Sequence, residues 1–296
     1  MNRYIMLFLI AGLLFSCKEE KANVDSAISN KYNDYFKLLD DSRKNGYLQL
    51  CGLHRLNDSL VNSVGRDTSN SIQIAIPTIA KTIGNISFGD ETVLFETVNN
   101  AKVVNANDSL ISSISSTMAK YGSDVQLYHD RIKFQVITRS GLHFLRVWDS
   151  LNPAIAAFNG FQKYPVNEEF IVQGDFEYYD KILEKEVESK LGVNTNTNFI
   201  GKVSFSYLDK VYELEVGTSG FLMIADKTSG SETYGGGRYV YIDLPETDGK
   251  VEIDFNKLYN PPCSYNEFTT CLVPPKSNHL DFEVTAGELL KMHETK

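Results

Sequence analysis

From Leu60 onward the chain is cut into short runs rich in β-branched and aromatic residues, each stopped by a turn signal. This spacing constrains the fold more than any other feature, because short alternating runs suit strands of a sandwich or barrel and leave no room for long helices. Ile72-Gln73-Ile74-Ala75-Ile76 alternates and ends at Pro77. Ile83–Phe88 and Thr92–Val98 follow across Gly89-Asp90. Lys133–Thr138 and Leu142–Trp148 read as a hairpin around Ser140-Gly141, and Lys202–Tyr207 with Val211–Val216 as another across Leu208-Asp209-Lys210. Phe170–Tyr178, Phe221–Ala225, Tyr239–Leu244, Val251–Phe255 and Leu280–Val284 read as further strands. The 181–198 stretch, with Lys and Glu giving way to Asn and Thr, reads as a surface excursion.

One segment departs from this pattern. Ile28, Tyr32, Tyr35, Phe36, Leu38 and Leu39 recur near helical spacing before Gly46, which predicts a helix over 27–46. Ahead of it, Arg3 precedes the apolar run Ile5–Phe15, which is short for a membrane span and suits the core of a secretory signal. The run ends in Leu14-Phe15-Ser16-Cys17, which resembles the lipobox of bacterial lipoproteins. The resemblance implies cleavage after Ser16 and acylation of Cys17. It places the protein in the cell envelope, anchored to the outer membrane by lipid. Lys18-Glu19-Glu20 resembles an export signal for the cell surface. The expected organisation is a signal peptide at 1–16, a lipidated tether at 17–26, the helix, a β subdomain at 47–150 and a second at 151–296.

The chain carries a formal net charge of −9, and loss of Arg3 with the leader makes it one charge more negative. That balance excludes nucleic acid, which needs a basic footprint, and leaves the acyl chains as the attachment to the membrane. After Cys17, three cysteines remain. Cys263 and Cys271 are close in sequence and suit a disulfide in an oxidising compartment, while Cys51 reads as a small buried hydrophobe. No metal or cofactor is implied, since two thiolates have only His279 near them.

Four segments stand out: Arg146-Val147-Trp148-Asp149-Ser150 with Phe158-Asn159-Gly160-Phe161; Thr233-Tyr234-Gly235-Gly236-Gly237-Arg238; Tyr259-Asn260-Pro261-Pro262-Cys263; and Thr270-Cys271-Leu272-Val273-Pro274-Pro275 with the closing Ala286-Gly287-Glu288. In this order they resemble the bacterial domain-of-unknown-function 1684 family, from the helix near residue 30 to Glu288. Where that family has Gly-Leu-His-Trp-Leu, this chain has Gly52-Leu53-His54-Arg55-Leu56, with an arginine in place of the aromatic ring. Val64-Gly65-Arg66-Asp67 also resembles the start of a forkhead-associated β-sandwich. The later Ser-x-x-His of that fold is missing, so the resemblance extends to the fold and not to phosphopeptide binding.

The family resemblance implies no activity, so function rests on the residues. Gly235-Gly236-Gly237 permits positive φ and close backbone approach, and Arg238 offers a planar fork to a carboxylate or phosphate. The alternative for Arg238 is a turn in which it pairs with an internal acid, Glu288 or Asp254. Tyr234, Tyr259, Asn260 and Asn266 complete a set that suits a polar or anionic, glycan-like ligand; the competing reading is loop scaffolding by Asx turns and prolines. An envelope hydrolase using the same pocket, with Cys263 as nucleophile or an acid pair such as Asp226 and Glu232, is the second expectation. A structural envelope component is the third. No Gly-x-Ser-x-Gly elbow occurs, and no catalytic residue is assigned.

Overall fold

The computed structural model describes residues 18–119, 122–139, 141–189 and 195–293, so the leader and Cys17 lie outside the described residues. Helix α1 (Lys18–Asn45) begins inside the stretch expected to be a polar tether. Lys18-Glu19-Glu20-Lys21-Ala22 lacks large apolar residues, which removes the periodic signal, yet each of these residue types favours a helix.

The strands before residue 150 are β1 (Leu50–Arg55), β2 (Asn62–Gly65), β3 (Ile72–Gln73), β4 (Gly84–Phe88), β5 (Thr92–Thr97), β6 (Val104–Asn105), β7 (Ser113–Thr117), β8 (Leu127–His129), β9 (Ile132–Arg139) and β10 (Leu142–Asp149). They form two five-stranded sheets, ordered β1-β10-β9-β8-β6 and β3-β2-β4-β5-β7. One face of each sheet meets the other in a shared core. Phe95 and Phe134 touch across it with ring centroids 5.4 Å apart, among buried Ile86, Val93, Leu145 and Val147. Because side chains alternate along a strand, the residues between Leu145 and Val147, or beside Phe134 and Val136, point away from this core. The expected Ile72–Ile76 strand keeps only its first two residues as β3.

The second half comprises α2 (Pro153–Ala157), β11 (Phe161–Lys163), β12 (Ile171–Val187), β13 (Thr195–Tyr207), β14 (Lys210–Gly217), β15 (Phe221–Ile224), β16 (Arg238–Tyr241), β17 (Gly249–Asp254) and β18 (Glu288–Met292). A four-stranded antiparallel sheet, β14-β13-β12-β17, carries the second core, onto which the β15–β16 hairpin adds Leu222, Ile224 and Val240. The turn between β13 and β14 has positive φ at both Leu208 and Asp209, as a tight two-residue hairpin loop requires. The fold is mainly β with one long N-terminal helix, as expected, and of the sandwich or barrel alternatives its antiparallel sheets suit the sandwich, with no closed barrel among the described residues.

Two expectations fail. The stretch read as a surface excursion is largely strand: β12 runs to Val187 and pairs Leu183 with Phe199 and Val187 with Thr195. A register irregularity after Tyr178 lets this outer part of the hairpin continue with exposed polar side chains, which hid it from a hydrophobic reading. Leu280–Val284, by contrast, is not a strand. Leu280, Phe282 and Val284 alternate into the core as predicted, but the Val284 carbonyl accepts from Arg238 and its N–H donates to Asp226. Earlier in the segment the Leu280 N–H donates to the Ala225 carbonyl and the Phe282 carbonyl accepts from the Lys227 N–H, so side chains take over from backbone partners only at Val284.

Helix α1 docks on the second half, although the first half follows it in sequence. The Tyr32 hydroxyl donates to Asp254 at 2.8 Å and the Tyr35 hydroxyl to the Lys257 carbonyl at 3.1 Å. In its last turn, Arg43 forks onto both carboxylate oxygens of Glu288 at 2.7 and 2.8 Å, with rings of Phe158, Phe161 and Tyr265 around the guanidinium.

Candidate functional site

Arg238 is fully enclosed, with 0% of its side chain accessible. Gly237 before it takes φ +81°, and a Cβ there would fall 2.4 Å from Pro274 and 2.7 Å from the Ile224 carbonyl, so this position needs glycine. The Arg238 guanidinium donates to Asp226 Oδ2 at 2.9 Å, to the Val284 carbonyl at 2.8 Å, and to the Ala286 and Glu288 carbonyls. Asp226 is held in turn by the Thr228 amide and hydroxyl and by the Val284 amide. Burial pulls the Arg238 pKa down, and Asp226 opposes that shift. The internal-acid alternative therefore describes Arg238, but with Asp226 as the acid. Glu288 is taken by Arg43, and Asp254 by Tyr32 and Lys257.

The other sequence candidates are dispersed around this cage. Asn260 is buried, with its amide N–H on Glu288 and its side-chain nitrogen on the Leu289 carbonyl; its Oδ1 has no hydrogen-bond partner. Tyr259 pairs its backbone with Tyr239 in both directions at 2.9 Å, and burial raises its hydroxyl pKa. The Tyr234 ring lies over Gly236 and is half-buried. Asn266 sits further away, where its amide donates to the carbonyls of Tyr47 and Leu50 and fastens the 262–272 loop to the start of the first half. Cys263 and Cys271 form the expected disulfide in that loop, which takes Cys263 out of use as a nucleophile. Free Cys51 is half-buried and its thiol pKa is pushed up to about 11, chiefly by burial, as for an inert thiol. These residues hold loops together and do not converge on one open pocket.

An open cleft does exist at the seam between the halves. It encloses about 180 Å³ between Arg139 and Arg146 of the first half and Tyr47, Phe221, Tyr239 and Thr270 around it. Arg146 points there because it lies between the inward-facing Leu145 and Val147 on β10. Arg146 is half-buried, and its Nε has no hydrogen-bond partner. Among the described residues no carboxylate lies within salt-bridge reach of it. Its pKa is lowered first by burial and then by the positive charge of Arg139, with the Tyr47 hydroxyl acting the other way. A guanidinium keeps its proton through such a shift, so the cleft retains its positive charge at neutral pH. A half-buried cation beside a second cation is destabilised, and an incoming anion removes that penalty. The Cys263–Cys271 disulfide supplies one wall through Cys271.

A roomier groove of about 510 Å³ runs beneath α1, lined by Tyr32, Tyr164 and Asn256. Its polar groups are already paired: Tyr32 with Asp254, Tyr164 with Glu232, and Asn256 with Asn167. Size alone thus ranks the grooves in the wrong order. Sequence reasoning missed the cleft because Arg146 is, by pattern, an ordinary outward-facing strand residue. Its inclusion in the conspicuous Arg146–Ser150 run was the one available signal.

No curated protein matches the chain. A solution NMR structure of the uncharacterized protein from gene locus rrnAC0354 of Haloarcula marismortui is similar to part of it, with 24% identity over 46% of this chain and 80% of that one, and a TM-score of 0.40. Residues 156–289, which include Arg238, Asp226 and the disulfide loop but leave out Arg139 and Arg146, match the family described as Protein of unknown function (DUF1684), and this supports placing the C-terminal region in that domain family.

Proposed function

We propose that this protein is a lipid-anchored component of the cell envelope that binds a polar anionic ligand in the cleft between Arg139 and Arg146. The carrying observation is Arg146, a half-buried guanidinium whose Nε has no hydrogen-bond partner and which makes no salt bridge among the described residues. Evolving such a site for stability alone makes little sense, because a hydrophobic residue would fill it at lower cost. A cleft of this size falls below the ~300 Å³ of sites that swallow a whole drug-sized ligand. It therefore takes one charged group of a larger molecule, with Tyr47, Phe221 and Tyr239 offering ring surfaces and Thr270 a hydroxyl. A carboxylate or phosphate on a sugar has the matching chemistry.

Calorimetric titration with glucuronate and with inorganic phosphate tests the binding. At least tenfold weaker binding in Arg146→Gln, with an unchanged melting temperature, is the expected result. Equal affinities in wild type and variant remove the cleft from the function. The anchor is tested separately by mass spectrometry of the protein from its native host: a diacylated Cys17 at the new amino terminus is expected, and an intact, unacylated N-terminus overturns the envelope assignment.

A further inference from the structure

The charge in the cleft continues beyond it. On the outward face of the β1-β10-β9-β8-β6 sheet, the register aligns four successive rows of side chains. Trp148 stands beside Lys133, Arg146 beside Leu53 and Gln135, Phe144 beside Arg55 and Ile137, and Leu142 beside Arg139. Each row contributes one cation, and none contributes an acid. Asp149, the next acid along β10, falls on the opposite parity and is clamped by Arg131 at 2.6 Å. Rows on one face are two residues apart, so the cations recur about every 7 Å along the strands.

This arrangement runs against the balance of the whole chain, whose net charge is −9. Two of these cations rest on rings: Lys133 Nζ lies 4.3 Å from the Trp148 ring centroid, and Arg55 Cζ lies 5.5 Å from that of Phe144. Arg146 Cζ is 5.8 Å from the Trp148 ring, which joins the cleft to the Lys133 row. Arg55 is exposed, and Lys133, Phe144 and Trp148 are half-buried, so the rows outside the cleft are open to a partner. Lys133 on β9, Arg146 on β10 and Arg55 on β1 step diagonally across three adjacent strands, and such a line of positive charge interleaved with aromatic rings fits a linear molecule that carries spaced anions and offers apolar C–H faces between them. Linked sugar rings bearing carboxylates have that make-up.

We propose that this sheet face is a track for a linear anionic polysaccharide, with one acidic sugar seated in the Arg146 cleft and its neighbours on the Lys133 and Arg55 rows. The inference rests on the cleft reading above and adds the polymeric character of the ligand.

The test uses galacturonate and its linear oligomers of increasing length, with Trp148, the sole tryptophan, as the fluorescent reporter. Affinity is expected to rise with length until the four rows are filled and then to level off. It is expected to fall at least tenfold between ~50 and ~200 mM salt, as charge-driven binding does. The Lys133→Gln/Arg55→Gln double variant is expected to lose at least tenfold on the longer oligomers while binding the monomer as wild type does. Oligomers that bind no better than the monomer overturn the track and leave the cleft standing. Oligomer binding that depends on Lys133 and Arg55 but is indifferent to Arg146→Gln overturns the cleft and supports the track. Tighter binding to anionic phospholipid vesicles or to single-stranded DNA of equal charge than to the oligomers overturns the polysaccharide assignment. Circular dichroism and melting of the double variant establish that it is folded.

Discussion

Arg238 and Arg146 are the same residue type in two opposed settings. Arg238 is sealed inside the second half with one carboxylate and three carbonyls on its guanidinium. Arg146 faces a seam, with a second arginine nearby and no carboxylate in reach among the described residues. The first guanidinium is closed to solvent and bonded through both terminal nitrogens, with its Nε left without a hydrogen-bond partner. The second lies at an open cleft, where the proposed anion would supply a partner. The comparison teaches that the Gly-Gly-Gly-Arg run places its arginine in an internal hydrogen-bond cage, whereas the arginine at the open cleft, where we propose binding, sits on a strand.

Substitutions of graded severity test that contrast. Arg238→Ala strands Asp226 as an unpaired buried charge and is expected to cost about 3–5 kcal/mol in urea unfolding; a loss under ~1 kcal/mol would erase the distinction between the two arginines. Cys263→Ser/Cys271→Ser opens a short loop and is expected to cost about 2–3 kcal/mol by the loop-entropy relation. Because Cys271 walls the cleft, the same variant should also bind glucuronate less tightly, whereas unchanged binding would separate the disulfide from the site. Asn266→Ala removes two hydrogen bonds to the Tyr47 and Leu50 carbonyls and is expected to cost about 1–2 kcal/mol. Arg146→Gln should leave stability within about 0.5 kcal/mol of wild type, or raise it slightly, since it relieves repulsion.

The smallest effect is one of pH. Burial lowers the pKa of His54 below its ordinary 6.5, so the unfolded chain binds a proton there that the folded chain refuses. Stability should therefore rise with pH through the window just below 6.5, and His54→Gln should flatten that slope. An unchanged slope would assign the dependence to another group.

The parts of this molecule legible in its sequence are those where local pattern and final partner agree. The β9–β10 and β13–β14 hairpins pair residues a few positions apart, and their alternation and turns are visible directly. Cys263 and Cys271 are eight residues apart, so their pairing was also a local matter. Leu280–Val284 shows the limit: its alternation is correct for burial, but its partners, the backbone of Ala225 and Lys227 and the side chains of Asp226 and Arg238, lie some fifty residues away. The outer end of β12 failed in the opposite sense, since it pairs while leaving most of its own side chains exposed, with Val187 as the buried exception. The acid serving Arg238 was misassigned because Asp226, Asp254 and Glu288 are equally plausible from spacing, and only the packing distributes them among Arg238, Tyr32 and Arg43. The cleft was illegible because its lining comes from segments around residues 47, 139–146, 221, 239 and 270, which no local rule connects.

The grip of Arg43 on Glu288 spans 245 positions of sequence. A chain made from its amino terminus has α1 ready first and its seat last, so α1 cannot dock until almost every residue has been synthesised. The first sandwich, by contrast, can close as soon as β10 is available. Shortening the carboxyl terminus to before Glu288 would thus unfasten the opposite end of the molecule, and limited proteolysis of such a truncation should cut within α1 first.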